Sequence, residues 1–121
     1  MPLRDYSGYL RDILEAGQKI QSYTAGKTFS DYQNDELLRS AVERKFTILA
    51  EALNQARQHY PQVQSQISNQ RAINAFRNQL IHAYAQIDNK VVWGIIQDDL
   101  GQLLTEASTA LVNAAEENSG S

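Results

Sequence analysis

A chain of 121 residues, 42% hydrophobic and 21% charged, makes one domain around a single core. The absence of cysteine excludes a disulfide framework and a thiolate zinc site, and no apolar run is long enough to cross a bilayer. A net charge of −3 argues against wholesale binding to nucleic acid, and residues 1–5 lack the apolar stretch of a signal peptide, so a cytoplasmic protein is expected.

The pattern is helical throughout. Prolines stand only at positions 2 and 61, and no window alternates with β-branched enrichment. A first helix is predicted from about Leu3 to Tyr23, with Leu3, Tyr6, Leu10, Ile13, Leu14, Gly17 and Ile20 as its apolar stripe. Residues 24–28 break it. Gly26-Lys27-Thr28 has the look of a phosphate loop's end, but Gln21 stands where that loop needs glycine, so a helix–helix connection is expected. Ser30 and Gln33 form a predicted capping box for a second helix. Its stripe runs through Leu37, Leu38, Ala41, Val42, Phe46, Leu49, Ala50 and Leu53 to about His59, where Tyr60-Pro61 stops it.

Residues 61–68 read as a polar connector with room for one short extra helix. A third helix is predicted from Ser68 to about Ala85. Asp88 or Asn89 then caps a fourth, with stripe Val92, Ile96, Leu100, Leu103, Leu104, Ala107 and Leu111. Gly94 and Gly101 inside it each cost about 1 kcal/mol against alanine and are expected to permit close packing. The expected fold is all-α, an up-and-down bundle of four main helices over residues 1–116, with a frayed tail at 117–121.

Charge is unevenly spread. No carboxylate occurs between Glu51 and Asp88, while Arg57, Arg71, Arg77, His59 and His82 lie in that window. His59, at a predicted helix C-terminus, suits the macrodipole and is given no catalytic role. Two histidines this far apart, with no nearby ligand set, make a poor metal site.

The chemistry concentrates in Arg77-Asn-Gln-Leu-Ile-His82-Ala-Tyr84. Taking Arg77 as the origin and about 100° per residue, Ile73, Phe76 and Leu80 fall on one side as a core face. Asn78 and His82 fall near about +100° and +140°, as (i, i+4) neighbours on the polar side, and Tyr84 returns to about −20°, in line with Arg77. Arg77 is expected at the core boundary, and Ile81 lies outside the core arc, where a partner would cover it. Histidine exchanges protons near neutral pH, and a guanidinium grips phosphate oxygens in a fork. Together they suit RNA cleavage without a metal. One histidine cannot serve as acid and base in the same step, so a two-fold dimer that supplies a second copy fits the chemistry.

The string resembles the R-x4-H-x-Y signature of HepT-like HEPN toxins. Phe29-Ser-Asp31, residues 41–52, and Asp88 through Trp93 resemble flanking blocks of the same family. The resemblance implies a homodimeric endoribonuclease toxin with Arg77 and His82 of both subunits at a shared cleft; the chemistry of the residues adds Asn78, placed to orient His82 or bind the phosphate, and calls for no metal or cofactor. The resemblance also implies a toxin–antitoxin pair in which a minimal nucleotidyltransferase antitoxin adds AMP to Tyr84. The reading from a different class is a non-catalytic HEPN module that holds a nucleotide or a protein partner in the same cleft.

Overall fold

The computed structural model describes residues 5–81 and 88–119. Seven helices and no strand occur among the described residues: α1 (Tyr6–Thr24), α2 (Phe29–Asn34), α3 (Glu36–His59), α4 (Val63–Gln66), α5 (Gln70–Ile81), α6 (Asn89–Asp98) and α7 (Leu100–Ser119). This is the expected all-α bundle. Two of the four anticipated long helices are each broken in two.

The first break replaces the predicted capping box. Thr28, not Ser30, is the N-cap of α2: its Oγ accepts the Asp31 N–H at 3.1 Å, and the Asp31 carboxylate accepts the Thr28 N–H at 2.9 Å. Hydrogen bonding to the Asp31 carboxylate from the Thr28 backbone N–H, and then from the Thr28 side chain, holds the carboxyl below the usual carboxylate range, with Lys27 adding to the effect. Asp35, extended at φ −114° and ψ 97°, then closes α2 and caps α3 by accepting the Leu38 N–H at 3.0 Å. The restart shifts the helical phase. Leu37, expected in the core stripe, is instead 82% exposed. The second break falls at Asp99, between α6 and α7.

α1 packs against α3 and α7, and α3 also packs against α5. Leu10, Ile13, Ile20, Val42, Leu49, Leu53, Leu100 and Leu103 form the centre of the core, as the apolar stripes predict. Gly17 is where α1 meets α7. A Cβ there would lie 2.3 Å from Leu104 Cδ2, so any side chain at this position would force Leu104 to move. Gly94 is also crowded, against Arg71, but nothing lies near Gly101, contrary to expectation. In the α1–α2 loop Gly26 takes φ +73°, which makes residues 24–28 a helix–helix turn.

Aromatic contacts fasten the short pieces. Tyr6 stacks on Tyr60 at 5.2 Å between ring centroids and donates its hydroxyl to Gln66 Oε1 at 2.7 Å, so α1 holds α4. Tyr32 of α2 packs on Trp93 of α6 at 5.4 Å. Burial pushes the Tyr6 and Tyr32 hydroxyls up to about 12. Phe46 and Phe76, 4.3 Å apart, join α3 to α5 and thereby set the arginine-bearing helix on the bundle.

Candidate active site

α5 is held firmly at its start. Asn69, one residue inside the predicted boundary of Ser68, caps it: its Oδ1 accepts the Ala72 N–H at 3.0 Å. The same side chain donates through Nδ2 to Asp99 Oδ1 at 2.9 Å, and Ser68 donates to Glu106 Oε2 at 2.9 Å. Arg71 places Nε 3.4 Å from Asp99 Oδ2. That oxygen has no hydrogen-bond partner, so the contact is an ion pair without hydrogen-bond geometry. The Arg71 guanidinium also runs past Gly94 of α6, where an added Cβ would lie 3.1 Å from its Nη2.

Beyond that anchor, Ala72, Ile73 and Phe76 are buried and Arg77 and Asn78 are exposed. The division follows the helical angles, except that Arg77 lies further out than the core boundary. His82 and Tyr84 lie outside the described residues, as do the side chains of Leu80 and Ile81.

Arg77 opens onto a groove of about 300 Å³ whose other walls are Asn54, Arg57 and Gln58 of α3 and Gln64 of α4. A second groove, of about 340 Å³, shares Arg57 and Gln64 and continues past Ile67 to Gln70 and Ile73. No carboxylate lines either one among the described residues. His59 is exposed at the end of α3, beside the helix's terminal carbonyls and away from both grooves. Among the described residues no group of three or more His, Asp or Glu side chains could hold a metal ion, and no helix is long and apolar enough to cross a membrane.

The cationic window thus divides. Arg71 is paired with Asp99, whereas Arg57 and Arg77 line one groove from different helices. Asn54, Arg57, Gln58 and Gln64 were not singled out as site residues from the sequence. Their signal was nonetheless present, because Asn54, Arg57 and Gln58 have the (i, i+3, i+4) spacing of one helical face inside the acid-free window.

An all-α bundle that carries this arginine-bearing helix is of the HEPN class. The sequence profile described as "Ribonuclease HepT-like" matches residues 13–110, and the chain belongs to that family. It is similar to the Methanocaldococcus jannaschii protein named "Putative RNase MJ1380", 30% identical over 88% of this chain and 96% of that one. It is also similar to the "Probable ribonuclease HepT" of Thermococcus cleftensis, 31% identical over 83% of this chain and 90% of the relative. A further Methanocaldococcus jannaschii relative, "Putative RNase MJ0127", is 27% identical over 98% of this chain and 99% of its own length. No solved structure matches the chain.

Proposed function

We propose that this protein is a metal-independent endoribonuclease toxin that cuts RNA at Arg77 and His82. The observation that carries the proposal is an exposed Arg77 facing a groove with no lining carboxylate, in a chain of the ribonuclease HepT-like family. No carboxylate among the described groove walls competes for the guanidinium or repels phosphate.

In the proposed step the ribose 2′-oxygen bonds to phosphorus while the bond from phosphorus to the leaving 5′-oxygen breaks. One His82 takes the 2′-hydroxyl proton, and His82 of the second copy in a homodimer gives a proton to the 5′-oxygen. The products are a 2′,3′-cyclic phosphate and a 5′-hydroxyl. Arg77 stabilises the charge that builds on the non-bridging oxygens, and Asn78 orients His82 or donates to the phosphate. A minimal nucleotidyltransferase antitoxin restrains the activity by adding AMP to Tyr84. With the spacing of Tyr84 seven residues after Arg77, that added phosphate would occupy the guanidinium and exclude RNA.

The purified protein should cleave RNA in EDTA and leave cyclic or 3′-phosphate ends, with Arg77→Ala and His82→Ala each abolishing the activity. Undiminished cleavage by both variants would overturn the assignment. Binding of a nucleotide with no cleavage under any condition would point to the non-catalytic module instead. For Tyr84, intact mass after co-expression with the partner should show one adenylate, lost in Tyr84→Phe. Retention of the adduct in that variant would reject the site.

A further inference from the structure

We infer that Arg57, with Asn54, Gln58 and Gln64, forms a second anion subsite beside Arg77 that grips a neighbouring backbone phosphate of the RNA. The inference rests on the proposal that RNA is the substrate. It adds a residue that the Arg-x4-His string does not contain.

Three observations carry it. Arg57 and Arg77 come from different helices, α3 and α5, yet line one groove of about 300 Å³. Two cationic side chains that line a common groove repel each other, and an anion bound between them relieves that repulsion. The helix dipole explains a cation in the last turn of α3, but not the convergence of a second one from α5. Next, the remaining described walls are Asn54, Gln58 and Gln64, whose side-chain amides can donate to phosphate and ribose oxygens and carry no charge to repel them. Finally, Arg57 and Gln64 also line the adjoining groove towards Gln70, so the site continues along α4 and α5 instead of closing on a single phosphate. A strand of RNA, with a phosphate at every nucleotide, fits a continuous track better than a mononucleotide does. Arg71, the other arginine of α5 in this region, is held by Asp99 and leaves Arg57 to extend the Arg77 contact.

The subsite is tested by the fluorescence anisotropy of a labelled single-stranded RNA oligomer with 2′-O-methyl riboses, which cannot be cleaved, titrated across a range of KCl concentrations. Arg57→Gln should weaken binding about tenfold and reduce the log–log salt slope by ~0.7, the value for one phosphate contact on a single strand. Arg57→Lys should keep the slope, because it keeps the charge. Gln64→Glu, at an exposed position of the groove, should weaken binding with Arg57 still in place. Lys19→Gln, on the exposed side of α1, should change neither affinity nor slope. With cleavable RNA, Arg57→Gln should raise KM and leave kcat nearly unchanged, since the phosphate it holds is not the one attacked.

Wild-type affinity and slope in Arg57→Gln, with Arg77→Gln still weakening binding, would overturn the subsite and leave the RNA reading standing. If Arg57→Gln lowers the melting temperature enough to confuse the comparison, Gln64→Glu decides, and wild-type binding by that variant counts against the subsite. An oligomer that the wild-type protein does not bind, with no effect of Arg77→Gln, would overturn both.

Discussion

The two parts of α5 use arginine in opposite ways. Near the start, Arg71 sits against Asp99 while Asn69 caps the helix and bonds the same carboxylate. Six residues on, Arg77 is exposed over a groove without a carboxylate among its described walls. The first arginine is part of the scaffold and the second is available to a ligand. The difference lies in what the bundle brings to each side chain and not in the helix itself, which is one continuous element. A carboxylate from the α6–α7 break satisfies one end. At the other end, the described groove walls on α3 and α4 bring no carboxylate to Arg77.

Breaking the anchored end should cost stability and spare activity. Asp99→Ala removes a buried acceptor from Asn69 and the partner of Arg71, and should lower unfolding free energy by about 1–3 kcal/mol in a urea titration. RNA cleavage per folded molecule should hold. Making the open end resemble the anchored one should do the reverse. Gln58→Glu supplies the groove with a carboxylate, and cleavage should fall about tenfold with the melting temperature unchanged or raised. Arg71→Gln should be mild, within about 1 kcal/mol, because the Arg71 side chain is 61% exposed and solvent screens its ion pair.

The smallest effect is a pH dependence remote from both ends. The folded carboxyl of Asp31 is lowered, so its capping contribution is complete above the unfolded carboxylate value near ~4 and is lost as pH falls through the lowered folded value. The melting-temperature gap between wild type and Asp31→Ala should therefore close in acid. A gap that persists at the lowest pH would show that the carboxylate charge is not what stabilises the cap.

The fold was legible wherever apolar periodicity was long. The stripes of α1, α3 and α7 set the core because burial along a helical face dominates the packing. The two breaks were not legible, for a shared reason. Each occurs at an aspartate, and aspartate reads equally well as an exposed helical residue and as a cap. Asp35 became a cap because Tyr32 is buried against Trp93 and fixes α2 at its own angle. Asp99 became a break where Asn69 and Arg71 meet it from a distant part of the chain. The acid-free window contains both arginines that line the groove. It gave its arginines equal standing, because the carboxylate that claims Arg71 lies outside that window in sequence and inside it in space. The exposure of Asn78 followed from helical angles, whereas the full exposure of Arg77 and the contribution of α3 and α4 to the groove required the tertiary arrangement.

The central claim is that Arg77 is free for chemistry and Arg71 is not. Single-turnover cleavage of one RNA oligomer in EDTA by Arg77→Gln and Arg71→Gln, measured side by side at saturating protein, tests it most directly. The account predicts a loss of about 10²–10³-fold for Arg77→Gln, the scale of removing one transition-state charge contact, and a near wild-type rate for Arg71→Gln. Equal losses in the two variants, or an unimpaired Arg77→Gln protein, would contradict it.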